Sequence, residues 1–192
     1  RRQRQMCIRD SILISKYLVD GIELNELPIK AQIDNLVLEV KFILIPTNII
    51  NDIRNIFKSN QISISNVFNS SYIKSLDYLK NFNNYEIKVF IDIGFNKTAF
   101  IVFQKDKLLH LSNISIGGKH ITNDISKILN LDFEKSEKVK KSLKQSNAIL
   151  ENNKNNELLI QVIHARVEEI IDLSFRSVND LSFLKNKKSV LV

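Results

Sequence analysis

Cysteine is all but absent from this chain. Its 192 residues include one Cys, one Met, no Trp, two Pro and four Gly. A single thiol cannot build a disulfide framework, and no Cys or His pairing has the spacing of a zinc site. His110, His120 and His164 stand far apart and form no metal pattern. No apolar run approaches the roughly 20 residues of a membrane span. Average usage near 7% would give a chain of this length about thirteen glycines. Ile, Asn, Lys and Phe are abundant instead, and their codons are AT-rich. A glycine missing from a motif therefore reflects composition as well as chemistry.

The formal net charge is +7, and part of it sits at one end. Residues 1–11, RRQRQMCIRDS, match codon for codon a translated adapter of transposase-based sequencing. Such a segment is excluded from fold reasoning. Without its four arginines and one aspartate the net charge falls from +7 to +4. The only Cys and the only Met, Cys7 and Met6, fall within it too. A charge of +4 spread along the chain is a weak argument for nucleic acid, and no nucleic-acid partner is expected.

The richest stretch is residues 91–129, IDIGFNKTAFIVFQKDKLLHLSNISIGGKHITNDISKIL. Apolar runs flank its first turn: Ile87, Val89, Phe90, Ile91 and Ile93 before, Phe100 to Phe103 after. They suit strands buried on both faces. A turn at Asp92 and Gly94 would aim successive backbone N–H groups and one carboxylate at a single point. Convergent N–H groups bind anions, and an acid beside them can hold the metal of a bound nucleotide. Residues 104–107 read as a polar hairpin tip. Gly117-Gly118 opens a helix with Ile121, Ile125, Ile128 and Leu129 at helical spacing.

Upstream, residues 12–19 and 36–45 are strand-like, with turns at Asp20-Gly21 and across residues 25–28. Thr47 is placed to cap a helix bearing Ile50, Ile53, Ile56 and Phe57. Ile62, Ile64 and Val67 alternate as a returning strand. Residues 69–84 read as a helix, 144–156 as a solvated loop, 157–185 as a long helical stretch, and 189–192 as the start of a strand.

On these residues the chain resembles the actin-like ATPases, and among them the bacterial cell-division proteins of the FtsA kind. Asp92-Ile93-Gly94 resembles the family's second phosphate loop. Gly117-Gly118-Lys119-His120-Ile121-Thr122-Asn123-Asp124-Ile125 resembles the more particular FtsA segment that follows. Tyr17-x-Val19-Asp20-Gly21 is similar to the start of the inserted FtsA subdomain. The resemblance covers roughly residues 14–192. It implies an α/β fold, part of an actin-like ATPase with the FtsA-type strand-helix-strand insert. Residues 12–68 would be that insert, 69–85 the end of the first lobe, and 86–192 an incomplete second lobe. The first phosphate loop would precede residue 12. The adenine turn and a membrane-binding helix would follow residue 192.

The resemblance implies ATP and Mg2+ as ligands. Asp92, Gly94, Phe95, Asn96, Lys97 and Thr98 occupy the positions of the phosphate loop, with Asp92 also a metal contact through the nucleotide. Phe95, Asn96 and Lys97 replace two glycines and a threonine, and Ala99 replaces a final aspartate. ATP is therefore expected to bind and to be hydrolysed slowly at most. Phenylalanine crowds a site that glycine would open, and the lost carboxylate is a lost contact for a metal-bound water. Glu137 and Lys140 stand three apart on a helix and match the family's ribose and base contacts. Arg166 and Glu169 match the helix that docks the acidic C-terminal tail of FtsZ. The implied role is an adaptor that polymerises, meets other divisome proteins through residues 12–68, and sits on the cytoplasmic face of the membrane at the division site. A pilus-assembly protein of the PilM kind shares the fold, and a sugar-kinase-like phosphotransfer enzyme is the alternative of another class.

Overall fold

The computed structural model describes residues 7–24, 26–28, 32–142, 153–178 and 189–191. The chain divides into two compact units. One holds residues 1–81 with 104–109, and the other holds residues 82–103 with 110–192.

In the first unit, β1 (Cys7–Val19) turns through Asp20-Gly21 into β2 (Ile22–Leu24). β3 (Leu36–Pro46) pairs along the other side of β1, giving the antiparallel order β2-β1-β3. Asp20 and Gly21 have φ of 48° and 83°, positive at both central positions as a type I′ hairpin turn requires. The Asp20 carboxylate accepts the Asn35 N–H at 2.7 Å and anchors the entry to β3. Register shifts lie between Arg9 and Ser11 and between Ile14 and Lys16. Each is a bulge that gives β1 one residue more than β3.

α1 (Thr47–Ser59) grows directly out of β3. Its N-cap is Pro46, without a side-chain cap bond, and not Thr47 as the sequence implied. Pro46 is still extended, with ψ of 129°, and Thr47 is the first residue of the helix. Ile50 is buried, while Ile56 and Phe57 are exposed. α2 (Ser70–Leu79) starts at Asn69, whose side chain accepts the Tyr72 N–H at 2.9 Å. A short 3₁₀ turn, Lys80–Phe82, follows it.

Two expectations change here. Ile62, Ile64 and Val67 form no returning strand; residues 62–69 carry no ladder. Alternation marks a face but does not supply a partner edge. In addition, β1 begins inside the segment set aside from the fold. Cys7, Ile8 and Arg9 pair with Pro46, Ile45 and Leu44. Ladder bonds are made by the backbone, so such pairing asks little of the side chains.

In the second unit, β4 (Ile87–Ile93), β5 (Thr98–Gln104) and β6 (Lys107–Ile114) form a meander, with β7 (Ser189–Leu191) parallel to β4 at the edge. Lys105 and Asp106, which belong to the first unit, turn β5 into β6 with φ of 47° and 64°, again a primed turn. β5 is buried on both faces, as its unbroken apolar run implied. Phe103 meets Phe90 edge-on at 5.7 Å, and Phe100 meets Phe175 at 5.1 Å. α3 (Gly118–Leu129), α4 (Phe133–Ser142) and α5 (Asn153–Arg176) complete the unit. Ile121, Ile125 and Leu159 form a buried cluster flanked by Val139, Ile163 and Val167. α5 starts at Asn153, within the stretch read as loop, and residues 143–152 and 179–188 lie outside the described residues.

Candidate functional site

The turn between β4 and β5 is held by its backbone. Gly94 N–H donates to the Lys97 carbonyl at 3.0 Å. Two further loop carbonyls are taken by the start of α3. Gly118 N–H donates to the Gly94 carbonyl and Lys119 N–H to the Phe95 carbonyl, both at 2.8 Å. The first N–H groups of a helix have no partner inside it, and here the loop supplies one for two of them. Contact is close enough to exclude any side chain at Gly117. A Cβ there would lie 2.4 Å from the Gly94 carbonyl oxygen and 2.8 Å from that of Phe95. The double glycine is thus a seat for the loop. At Gly118 the nearest atom would be Lys140 Nζ at 3.5 Å, an ordinary contact.

Around this seat the side chains close up. The Thr98 hydroxyl donates to the Ile116 carbonyl at 2.7 Å, and Thr98 is fully buried. His120 Nδ1 accepts the Gly117 N–H at 3.1 Å. Lys140 donates to the Gly118 carbonyl at 3.0 Å, to Thr122 Oγ1 at 2.7 Å and to Glu137 Oε2 at 2.6 Å. Those contacts use all three ammonium donors. Thr122, which accepts from Lys140, has one proton left and lies within bonding reach of Glu137. Burial raises the Glu137 pKa, but the bonds from Lys140 and Thr122 and the charge of Lys140 outweigh it. The carboxyl is held below its ordinary range.

The structure thus brings the loop, α3 and the Glu137–Lys140 pair into one bonded cluster. Phe95, Asn96 and Lys97 are exposed on the loop, and Asp92 is half-buried at the end of β4. Phe95 meets Phe133 edge-on at 6.2 Å, which fixes the start of α4 against the loop. Among the described residues no group of three or more His, Cys, Asp or Glu could hold a metal. Magnesium beside a nucleotide is commonly held by one or two carboxylates plus phosphates, so Asp92 alone suits that use.

Arg166 and Glu169 lie apart from the loop cluster, on α5. Arg166 Nε donates to Asp124 of α3 at 2.7 Å, and Nη1 donates to Glu169. The Asp124 bond raises the Arg166 pKa, against partial burial and with help from Glu169. These residues border a groove of about 340 Å³ between α3 and α5, with Ile128, Val162 and Ala165 as apolar lining and Lys127 as a further charge. Sequence reasoning missed Thr122, Asp124 and His120 as working residues. Their signal was present: Thr122 stands four residues after Gly118, and Asp124 lies one turn before Ile128 on the same helix.

The sequence model of the family described as Cell division protein FtsA matches residues 89–186, just over half of the chain. The chain belongs to this family. No curated protein matches it. Among solved structures, one titled PilM-PilN type IV pilus biogenesis complex is similar with a TM-score of 0.60 and 15% identity, covering 94% of this chain. It shows the fold: the chain carries part of an actin-like ATPase fold. The chain spans about half, 49%, of that protein's length. The ethanolamine utilization protein EutJ from Carboxydothermus hydrogenoformans aligns with a TM-score of 0.43 and 18% identity, over 60% of this chain and 38% of that one. In this FtsA-family chain no described helix is long and apolar enough to cross a membrane.

Proposed function

We propose that the chain is part of a cell-division adaptor that binds ATP with Mg2+, polymerises, and tethers FtsZ filaments at the cytoplasmic face of the membrane. In this reading residues 12–68 are the inserted subdomain that meets the polymer and other divisome proteins. Residues 69–85 end the first lobe and 86–192 are part of the second. A helix outside this chain would contact the membrane.

One observation supports it most. α3 receives the phosphate loop at its first residues and pairs Asp124 with Arg166 one and a half turns later. A shift of the loop on nucleotide binding moves the same rigid helix that lines the docking groove. A bound nucleotide supplies phosphate charge and its metal to the loop. Lys97 and the N–H groups of residues 95–97 would meet that charge, and Asp92 would hold the metal. Thr98 and Lys140 act as positioning residues, since their donors already hold the Ile116 carbonyl and the Thr122–Glu137 pair. Glu137 keeps Oε1 for a ribose hydroxyl; its one short contact there is the exposed Lys141 at 3.4 Å.

The test uses the complete protein. Arg166→Glu reverses a charge at the groove, and a labelled FtsZ tail peptide should bind about thirtyfold more weakly, a cost of about 2 kcal/mol. ATP binding should hold. Equal peptide affinities would overturn the docking role. A PilN-type peptide titrated in parallel separates the pilus-assembly reading, in which that peptide and not the FtsZ tail fills the groove. Phosphate release at about 1 per second or faster, a rate typical of enzymes, would overturn slow hydrolysis.

A further inference from the structure

The outer edge of β3 pairs with no described element. The bulges of this sheet lie in β1, so β3 runs its whole length without one. The Asn35 carbonyl accepts the Asp20 N–H at 2.9 Å. Backbone polar groups alternate between the two sides of an antiparallel strand. Odd-numbered residues of β3 therefore turn their N–H and C=O towards β1, and even-numbered ones turn away. A long strand with such an edge is a template for another chain, and proteins commonly blunt it with charge. β3 has only Glu39 and Lys41 to do so. Most of its apolar side chains are also exposed, from Val40 at 36% to Leu44 at 53%.

The order of residues along β3 says what fits this edge. Outward from Val40 come Glu39 and Lys41, then Leu38 and Phe42, Val37 and Ile43, Leu36 and Leu44. Rotated about a two-fold axis at Val40, the strand is complementary to its own antiparallel copy. Each apolar residue meets an apolar one, and Glu39 meets Lys41 of the other copy, twice. A slip of one residue sets both charges against apolar side chains. A slip of two opposes Glu39 to Glu39 or Lys41 to Lys41. One register is therefore specified, as strand pairing needs. Val40 is even-numbered, so its N–H and C=O point outward and the central pair exchanges two backbone bonds. Ser15 Oγ donates to Glu39 Oε1 at 2.8 Å and steadies the carboxylate on its face of the sheet.

We propose that two copies of this chain join edge to edge through β3, antiparallel about Val40, doubling the three-stranded sheet. Such a contact is isologous and closes at two. It uses no residue of the phosphate loop or of the α3–α5 groove.

Sedimentation velocity on the full chain tests this. Wild type should show a concentration-dependent dimer. Glu39→Lys and Lys41→Glu each oppose like charges in both central pairs and should weaken it about tenfold. The double variant Glu39→Lys/Lys41→Glu should recover it. An equimolar mixture of the two single variants should form a heterodimer, because the all-lysine strand then meets the all-glutamate strand. That mixture also guards against misfolding as the cause of loss. Val40→Pro should abolish the dimer while the circular dichroism spectrum stays, since the missing N–H is the outward one. A wild-type chain that stays monomeric over the accessible concentration range would overturn the proposal. So would a dimer indifferent to both reversals, or a mixture that fails to pair.

Discussion

The two units handle apolar residues in opposite ways. In the second, β5 disappears between layers and Phe100, Ile101, Val102 and Phe103 are fully enclosed. Its polar groups near the loop are bonded to one another. In the first, Ile12, Phe42, Leu44, Ile56 and Phe68 are exposed, and the described core is little more than Val19, Ile43, Ile50, Leu79 and Leu108. An apolar sequence does not by itself make a core; layers on both sides do. Packing on both faces is what gives the second unit the larger enclosed core.

The largest contrast should come from two phenylalanines. Phe100→Ala empties a site fully enclosed by Phe175 and His110 and should cost about 3–5 kcal/mol. Phe42→Ala removes a side chain that is already 42% exposed, and should cost only about 1–2 kcal/mol because part of its area is in water from the start. Urea midpoints of the two variants measure this; equal shifts would erase the contrast between the units.

Next comes the loop seat. Gly117→Ala sets a Cβ against two carbonyl oxygens, and overpacking of this kind costs about 1–3 kcal/mol. Gly118→Ala should be near neutral in stability. Thermal melts of both variants, read with hydrogen exchange at the Gly118 and Lys119 amides, check that the loop lets go of α3 only in the first.

Glu137 gives a pH-dependent effect of similar size. Its folded pKa is depressed, so its contribution is complete above the ordinary carboxylate pKa and is lost as pH falls through the depressed value. Acid should therefore destabilise the wild type more than Glu137→Gln, and the two curves should converge at low pH. The gap near neutrality should be about 1–3 kcal/mol, the range for a partner lost from a charged hydrogen bond. Denaturant titrations across pH 2–7 would show it, and a constant gap would remove Glu137 from the account. Smallest of all, Glu23→Gln in the first unit breaks a pair with Lys16 in which both side chains are more than half exposed. It should change stability by less than about 0.5 kcal/mol.

Much of the second unit was legible because its elements follow their periods without interruption. The runs at 87–93 and 98–104 read as buried strands, and Ile121, Ile125 and Leu129 as one face of a helix. The approach of the loop to Gly117-Gly118 was legible only as a resemblance, since no local pattern reveals which backbone packs on which. The first unit was harder. Two bulges shift the phase of β1, so Ile14 and Tyr17, three apart, both end up opposite even-numbered residues of β3. No period of two contains that. The apolar alternation at Ile62, Ile64 and Val67 was real, but a strand also needs an edge within reach. Arg166 and Glu169 were expected only as docking residues for an acidic tail; the bond from Arg166 to Asp124 comes from packing of α5 on α3.

The seat at Gly117 has a consequence for how this sequence can change over time. Its coding composition favours Ile, Asn and Lys and leaves only four glycines. By the family resemblance, the loop itself carries other residues where glycine is expected, at Phe95 and Asn96. Position 117 cannot follow, because the space a methyl would need is filled by the carbonyls of Gly94 and Phe95. Mutational pressure is thus absorbed on the loop side of the contact and refused on the side that bears it. In related chains under the same pressure, Gly118 should be replaced well before Gly117, whatever has become of the nucleotide.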